Sequence, residues 1–347
     1  MNTITIGLDI AKSVFQVHGE DSGRIVLQKR LRRSQVADFF AKLPRSLIGI
    51  EACGSSHYWA RMLRDLGHDV RLIPAAYVKP FVKRNKTDAR DAAAICAALG
   101  RPDMRFVAIK SVEQQAARGI ERSRDLLVKQ HTQLMNSIRS QLAEFGIIAP
   151  QGRRGFMTLL QLITAGDGGV PPVLLAALRM LGGQIEQLEK AIAKLERQIV
   201  ATARAHPVMR RLTTIPGVGP LTAHAIVTAI GDGKQFASAR DFAAWCGLTR
   251  RVDQSAAKRR ERGISRQGEM RLRKLLALGA STIMRHLRSR PAHATAWQHG
   301  ILARRPIKVA VLAQAAKNAR IAWAMMQSGD GYQKPAIAIA AAATLAG

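Results

Sequence analysis

The order of hydrophobic and polar positions changes twice along the chain. Over roughly the first hundred residues, short apolar runs bounded by turn residues alternate with segments of helical period. The predicted elements, in chain order, are strands at 4–10, 14–19 and 24–30, a helix from Val36, a strand at 47–51, a helix at 57–66, a strand at 70–74 and a helix at 88–99. Three strands followed by alternating helices and strands predict an α/β domain, which we place at residues 1–110.

Strand patterns then disappear, and residues 111–206 are predicted to be helical. From Leu174 to Ile199 apolar residues recur at alternating steps of four and three, which is typical of a coiled-coil seam. The seam predicts either one long amphipathic helix packed inside its own domain or self-association, and its length favours self-association into a dimer or a tetramer. Between Gly146 and Pro172 the density of glycine and proline predicts a loop rather than a helix.

The last third, residues 207–335, opens with Ile215-Pro216-Gly217-Val218-Gly219 ahead of a helix to about Ile230. Two helices joined by such a glycine turn form a helix-hairpin-helix, whose exposed backbone N–H groups suit a DNA phosphate. We therefore predict a sequence-independent DNA contact at Gly217 and Gly219, with a plain turn as the alternative. Helical patterns at 236–248, 271–288 and 307–326 predict a mostly helical, all-α domain, and an Ala-rich tail occupies 336–347.

Charge points to a nucleic-acid partner. The 347 residues include 54 Lys and Arg against 24 Asp and Glu, a formal net charge of +30, and such an excess attracts phosphate backbones. A hydrophobic content of 47% excludes a disordered basic tail. Three cysteines without a CxxC pair argue against a disulfide framework and a structural zinc site. Since neither a signal peptide nor a membrane span is recognisable, we expect a soluble cytoplasmic protein with no membrane partner.

A strongly basic stretch lies within the last third. Residues 254–268 lack hydrophobic periodicity, so we expect a mobile loop that becomes ordered on a nucleic acid, with a merely solvated charge run as the alternative. The phosphate-binding candidates in it are Lys258, Arg259, Arg260, Arg262 and Arg266.

Four carboxylates stand at positions that suit metal-dependent nuclease chemistry. Asp9 and Glu51 each end an apolar strand, while Asp88 and Asp91 open a helix and share one of its faces. The order of elements is that of a ribonuclease-H-like layer, in which strand ends and a helix start can converge. The pattern predicts a cage of hard oxygen ligands for Mg²⁺. Each carboxylate alone also has an ordinary alternative, such as an N-cap at Asp88 or an ion pair at Glu51.

Several motifs together resemble the DEDD insertion-sequence transposases, also called bridge-RNA-guided recombinases. They are Leu8-Asp9-Ile10-Ala11-Lys12, Ile50-Glu51-Ala52-Cys53-Gly54, Asn85-Lys86-Thr87-Asp88-Ala89-Arg90-Asp91, Ile215-Pro216-Gly217-Val218-Gly219, and Gly247-Leu248-Thr249 followed by Ser255. The ordered set spans nearly the whole chain.

The resemblance implies a fold and a mechanism. It implies a RuvC-like N-terminal domain, a coiled coil and a C-terminal transposase domain. It also implies that Asp9, Glu51, Asp88 and Asp91 hold Mg²⁺ and that Ser255 attacks a DNA phosphate to form a transient covalent link. A composite site in a tetramer and a structured noncoding guide RNA that pairs with donor and target DNA are implied as well. Ser255 is followed by Ala256-Ala257, where family members carry several small or Ser residues, and Ser265 is its rival.

Three functions are therefore compared. The first is a transposase or recombinase that cuts, exchanges and rejoins DNA with Mg²⁺, Ser255 and a guide RNA. The second is a RuvC-like, structure-specific nuclease that hydrolyses DNA with metal alone. The third is a non-catalytic nucleic-acid scaffold. We favour the first, because all four carboxylates occur in fold order with the C-terminal motifs.

Overall fold

The computed structural model describes residues 4–82, 88–166, 168–255 and 258–334, with only the backbone described at 254, 255, 258, 259, 261 and 262. The predicted tail at 336–347 lies outside this range. The chain divides into two compact units, Met1–Gln115 and Ala116–Gly347.

The first unit is an α/β domain, as the sequence predicts. Its elements are β1 (Thr5–Ile10), β2 (Val14–Asp21), β3 (Arg24–Arg32), α1 (Val36–Ala41), β4 (Leu47–Glu51), α2 (Ser56–Asp65), β5 (Asp69–Ile73), α3 (Ala75–Val78) and α4 (Asp88–Leu99), with short 3-10 turns at Arg33–Gln35 and Lys79–Phe81. The five strands form one sheet in the order β3-β2-β1-β4-β5. β1 pairs antiparallel with β2 and parallel with β4, whose register places Leu8 beside Ile50.

The two faces of this sheet carry different side chains because successive residues of a strand point to opposite sides. Ile6 and Leu8 of β1 are fully buried in one core with Trp59 of α2. Gly7 of β1 lies on the other face, against α4. A Cβ at Gly7 would stand 2.0 Å from the carbonyl oxygen of Ala92, so only glycine lets the helix backbone approach the strand this closely.

Where the structure describes it, the second unit is helical apart from one pair of strands. Its elements, starting with the helix that crosses the unit boundary, are α5 (Val112–Ala143), α6 (Arg153–Ala165), α7 (Pro172–Ala205), α8 (Pro207–Leu212), α9 (Pro220–Ile230), α10 (Ala239–Trp245), β6 (Arg250–Ser255), β7 (Lys258–Ile264), α11 (Met270–Ser289), α12 (Ala296–Arg304) and α13 (Ile307–Ser328). Its largest core is formed by α8, α9, α10, α11 and α13 around Phe242, Leu276 and Ala319. None of the helices in the described part of the chain is long and apolar enough to span a bilayer.

Two local predictions are wrong. The segment between Gly146 and Pro172 contains helix α6 rather than a loop alone, because most of its glycines stand at or beyond the helix ends and Gly155 lies in the first turn. Gly152 is the N-cap, and Gly166 closes the C-terminus in the left-handed conformation, with φ of 83°. The many glycines and prolines of this segment therefore indicate where a helix begins and ends. The buried face of that helix, which includes Phe156 and Leu159, packs on α5 and α7.

The second wrong prediction concerns the basic stretch at 254–268. Most of this stretch belongs to the hairpin of β6 and β7 and not to an irregular loop. The strands pair antiparallel, with Asp253 opposite Arg260 and Val252 opposite Glu261. Backbone hydrogen bonds hold such a ladder without hydrophobic side chains, and opposite charges across it offset part of the repulsion. The sequence therefore lacked the apolar alternation by which strands are recognised.

The predicted seam is part of the single helix α7, and much of it is covered by the chain itself. Leu178 and Ile185 are buried in a core with Ile138 of α5 and Phe156 of α6. Further along, the Arg124 guanidinium of α5 binds the Glu196 carboxylate, with Nε and Oε1 2.9 Å apart. These contacts agree with the alternative of an amphipathic helix packed in its own domain, and self-association stays a prediction.

Candidate metal centre and nucleic-acid-binding elements

Three carboxylates from two elements converge in the first unit. Asp9 near the end of β1 and Asp88 and Asp91 at the start of α4 each offer an oxygen, and these three oxygens lie within 4.8 Å of one another. Asp9 and Asp91 are half-buried and Asp88 is exposed. Oxygen donors at this spacing fit a small hard cation such as Mg²⁺.

The local sequence explains this convergence. Asp9 follows Gly7 by two residues, so its side chain points to the same face, where α4 packs. Asp88 and Asp91 are three residues apart in the first turn of α4 and share one side of the helix. The positive end of the helix dipole there favours nearby negative charge.

Glu51 stands on the neighbouring strand end, outside the three-carboxylate group. It follows Ile50, the partner of Leu8, and is therefore one step beyond the last residue pair of β1 and β4. A Cβ at Gly49, two residues earlier, would stand 3.1 Å from side-chain carbons of Ile95 and Leu99 of α4, so Glu51 also belongs to the α4 face. Its role as a metal ligand stays a prediction. Lys86, beside Asp88 in the motif, lies outside the described residues.

A buried thiol lies close behind the carboxylates. Cys96 of α4 donates to the backbone oxygen of Thr5 at 3.4 Å. Burial, and secondarily the Glu20 carboxylate, raises the pKa of this thiol to about 11. Cys96 is therefore neutral at physiological pH and acts as a small packing residue between helix and sheet.

In the second unit, the proposed nucleophile belongs to the β6–β7 hairpin. Ser255 is the last residue of β6, paired in register with Lys258, and its side chain lies outside the described atoms, as do those of Lys258, Arg259 and Arg262. Arg260 and Arg266 are exposed. Ser265, the rival serine, is half-buried after the end of β7, and its N–H donates to the Thr249 oxygen at 2.8 Å.

The base of this hairpin is tightly fixed. Gly247, in the Gly247-Leu248-Thr249 motif, has φ of +71°, and a Cβ there would stand 2.2 Å from the Gln267 oxygen. A Cβ at Gly268 would stand 1.9 Å from the Trp245 oxygen. Arg273 of α11 donates to the backbone oxygens of Cys246 at 3.0 Å and Gln267 at 2.9 Å. The two glycines and the arginine thus hold both strands where they leave the helical core.

The predicted glycine turn joins α8 to α9. Gly217 has φ of +77°, Gly219 is the N-cap of α9, and α9 ends at Ile230 as expected. The turn packs on α11 through a second glycine: a Cβ at Gly279 would stand 1.8 Å from the Gly217 oxygen. A buried amide also holds it, since Asn318 Nδ2 donates to the Pro216 oxygen at 2.9 Å.

A buried charged cluster lies between α5, α9 and α11, and no pattern in the sequence predicts it. Glu121 is 1% exposed, and its Oε1 lies 2.6 Å from His224 Nδ1 and 3.0 Å from Thr228 Oγ1. Arg271 binds both Glu121, at 2.5 Å, and Asp125, at 2.6 Å. Burial alone would raise the pKa of Glu121, but the His224 hydrogen bond, the charge of Arg271 and the Thr228 hydroxyl together lower it. Glu121 is therefore an ionised group inside the fold.

Comparisons with known proteins match both regions. Residues 6–147 match a family model described as "Transposase", of the DEDD type, and residues 209–297 match "Transposase IS116/IS110/IS902 family". The chain is 45% identical over 336 residues to a probable family 20 transposase of Pseudomonas aeruginosa, covering 96% of this chain and 99% of that protein. It belongs to this transposase family.

Two further relatives are insertion-sequence proteins. A transposase for the element IS1328 of Yersinia enterocolitica is 37% identical, covering 96% of this chain and 99% of its own. A transposase for IS1111A of Coxiella burnetii is also 37% identical, over 94% of this chain and 91% of its own. As a member of this transposase family, the protein is an enzyme that cleaves and rejoins DNA, and its substrate is DNA.

Proposed function

We propose that this transposase exchanges DNA strands through a serine nucleophile and a Mg²⁺ site. The observation that carries the proposal is the convergence of Asp9, Asp88 and Asp91 within 4.8 Å in a chain of this family. Convergence of acidic oxygens is unfavourable without a cation, because like charges repel. The strand order β3-β2-β1-β4-β5 supports a ribonuclease-H-like, RuvC-type domain around that site.

Asp9, Asp88 and Asp91 would bind the metal directly, and Glu51 would act at the edge of this site. When bound, Mg²⁺ would neutralise charge on a phosphoryl oxygen and thereby favour attack at phosphorus. The protein's own part is positional: β1 and α4 hold the carboxylates against the sheet, with Gly7 setting the distance between helix and strand. Glu51 joins the set from the adjacent strand end.

Ser255 is the proposed nucleophile. Its Oγ attacks the phosphorus of a DNA phosphodiester, an Oγ–P bond forms, and the bond from phosphorus to one deoxyribose oxygen breaks. The serine proton passes to solvent, and the leaving oxygen takes up a proton to become a hydroxyl. Attack by the hydroxyl of a second strand then reverses these steps and releases the serine. Energy of the phosphodiester is conserved, so rejoining needs no nucleotide cofactor.

Basic side chains and backbone donors of the second unit would hold the DNA. Lys258, Arg259, Arg260, Arg262 and Arg266 supply charge on β7 and after it, and the N–H groups near Gly217 and Gly219 offer a phosphate contact in a helix-hairpin-helix. None of these groups reads base sequence by itself. Selection of donor and target DNA is therefore assigned to base pairing with a structured guide RNA, which rests on the family resemblance.

We also propose a division of labour along the chain. Residues 1–110 form the metal-binding domain, 111–206 the helical oligomerisation region, 207–335 the transposase domain, and 336–347 a tail. A dimer or tetramer, with α7 contributing to the interface, would combine the metal domain of one protomer with the serine domain of another. The half-buried residues Leu188, Ile192 and Leu195 of α7 support that role.

Strand exchange between synthetic donor and target duplexes, with the guide RNA supplied, tests the proposal. Asp9→Asn and Ser255→Ala should each abolish exchange, and denatured wild-type protein should remain covalently attached to cleaved DNA. Ser265→Ala is the matched control and should retain the adduct. Cleavage by Ser255→Ala without any adduct would instead identify a metal-only nuclease. Binding that is indifferent to chelation and to every carboxylate change would identify a scaffold.

A further inference from the structure

A basic cleft of about 710 Å³ lies at the tip of the β1–β2 turn, lined by Lys12, Ser13, Val14, Arg32, Arg33, Ser34, Tyr58 and Trp59. Three of its eight residues are cations and none is acidic. Within the described residues, no ion pair to a carboxylate is found for Lys12, Arg32 or Arg33. The cleft therefore presents uncompensated positive charge.

Aromatic side chains form one wall of this cleft. Tyr58 is 54% exposed, which is unusual for a large ring, and it stands edge-on to Trp59 with centroids 5.1 Å apart. The Arg33 guanidinium lies 4.9 Å from the centroid of the Trp59 ring. The half-exposed Tyr58 ring, beside the Arg33 guanidinium that lies over Trp59, is a surface on which a planar base can stack.

Trp59 provides an independent sign that a ligand belongs here. The residue is 4% exposed, its Nε1 is buried, and that N–H has no hydrogen-bond partner among the described residues. A buried donor without an acceptor costs free energy, so native proteins rarely keep one. An oxygen of a bound nucleotide would accept this hydrogen bond once the buried Nε1 turns toward the cleft.

We infer that this cleft binds one unpaired nucleotide of the DNA strand whose phosphate lies at the carboxylates. The inference rests on the proposed metal site, which it extends to a substrate contact. Lys12 follows Asp9 by three residues, so their Cα atoms are at most about 11 Å apart. Asp9 points to the α4 face whereas the cleft opens on the α2 side of the turn. A strand that passes Asp9 and bends round the turn places its next nucleotide in the cleft.

In this arrangement each side chain has one contact. Lys12 and Arg32 bind phosphate oxygens, the base lies on Tyr58 beside the Arg33 guanidinium, and Trp59 Nε1–H donates to an oxygen of the nucleotide. Only an unpaired base can stack here, since a paired base keeps its neighbours in the duplex. The cleft would therefore hold DNA in which pairing has already opened beside the scissile phosphate.

Fluorescence anisotropy with the full-length protein tests this directly. The probes are a labelled dT12 strand and an abasic strand of equal length, so that the ratio of their affinities isolates the contribution of the bases. Tyr58→Ala should reduce that ratio about 5-fold to 100-fold, as expected for loss of one stacked base. Tyr58→Phe should retain it, and Trp59→Phe should lower dT12 affinity while leaving the fold intact by circular dichroism.

The matched control is Tyr77→Ala, which removes another half-exposed tyrosine, 42% accessible, from the same unit. An unchanged ratio in Tyr58→Ala, or an equal loss in Tyr77→Ala, would overturn the inference. Tighter binding of rU12 with the same dependence on Tyr58 would assign the cleft to RNA and overturn the DNA assignment. Lys12-dependent binding of poly-glutamate in place of dT12 would assign it to an acidic protein.

Photocrosslinking tests nucleotide binding in the cleft independently of the proposed metal mechanism. A dT12 strand carrying 5-iododeoxyuridine should crosslink to the peptide containing Tyr58, identified by mass spectrometry. Such a crosslink together with normal exchange by Asp9→Asn would retain the cleft and reject the metal mechanism. Loss of exchange in Asp9→Asn without any crosslink at this peptide would retain the metal mechanism and reject the cleft.

Discussion

Glu121 and His224 form a hydrogen-bonded pair inside the second unit, with Oε1 and Nδ1 2.6 Å apart and both side chains 2% exposed or less. The pair joins α5 to α9, the helix that follows the glycine turn. Arg271 adds α11 to the same cluster. Helix α5, the helix that follows the glycine turn and the helix that supports the serine hairpin are thus tied by one ionised carboxylate.

Glu121→Gln should destabilise the second unit on the order of 3 kcal/mol near pH 7. Removing one partner of a buried ion pair typically costs about 3–5 kcal/mol, and the lower end applies because Arg271 keeps its bond to Asp125. The pKa of Glu121 lies below its ordinary value of 4.5. Its stabilisation is therefore complete above that value and is lost as pH falls through the lowered pKa.

Urea unfolding of both proteins between pH 7 and pH 3 measures this difference. The gap in the free energy of unfolding should narrow as pH falls below 4.5. Glu186→Gln, at an exposed position of α7, is the control and should change stability by less than about 0.5 kcal/mol. A gap that stayed constant with pH would show that the carboxylate is not the source of the stabilisation.

Gly279→Ala should both destabilise the protein and weaken DNA binding. The added Cβ would stand 1.8 Å from the Gly217 oxygen, so the glycine turn must move away from α11. We expect a loss of about 1–3 kcal/mol, as for other insertions into packed regions. Thermal melts and duplex-DNA anisotropy provide the two measurements.

Gly183→Ala is the matched control for that substitution. Gly183 also lies in a helix, but a Cβ there meets nothing within 4 Å. Alanine should stabilise α7 by up to about 1 kcal/mol through its helix propensity. Equal destabilisation by both alanines would remove the contact between Gly217 and Gly279 as the cause.

Asn318→Ala should displace the same turn from the other side. The Asn318 amide donates to the Pro216 oxygen at 2.9 Å and accepts from Gln314 Nε2 at 2.7 Å. Its loss leaves two buried polar groups without a partner, at a cost of about 1–3 kcal/mol. Hydrogen exchange of the backbone amides near Pro216 should become faster. The control Asn136→Ala, at an exposed position of α5, should leave that exchange unchanged.

Glu51→Gln distinguishes a direct metal ligand from a supporting group. Because Glu51 lies outside the group of Asp9, Asp88 and Asp91, we expect it to act at the edge of the site. Its amide should weaken Mg²⁺ binding by about 10-fold, within the range for groups that orient metal ligands. Isothermal titration calorimetry should show a larger loss in Asp9→Asn and none in Asp103→Asn, an exposed control. A loss in Glu51→Gln as large as in Asp9→Asn would make Glu51 a direct ligand.

The candidate metal centre was largely predictable, and the reason is local. Asp9 ends an apolar strand and Asp88 and Asp91 share a helix turn, so short-range periodicity already fixed which way each could point. The order of strands and helices then allowed only a few ways to bring these ends together. The position of Glu51 at the edge of the group depends on side-chain packing, which periodicity does not encode.

Other features had no local signal. Helix α6 and the β6–β7 hairpin contradicted their sequence patterns, because burial on neighbouring helices decided the first and backbone pairing the second. Glu121 and His224 are 103 residues apart, and nothing in either segment marks a buried hydrogen-bonded pair. Likewise Lys12, Arg33 and Tyr58 share a cleft only because three separate elements end at one turn of the sheet.

By itself the amino-acid sequence determined the α/β and helical regions, the basic charge and the identity of the acidic groups, since these depend on residue type and on spacings of a few positions. Tertiary structure decided which carboxylates meet, which seam residues the chain covers, and where the charged cluster and the cleft lie. Those outcomes depend on contacts between distant segments, where burial and close packing outweigh local preference.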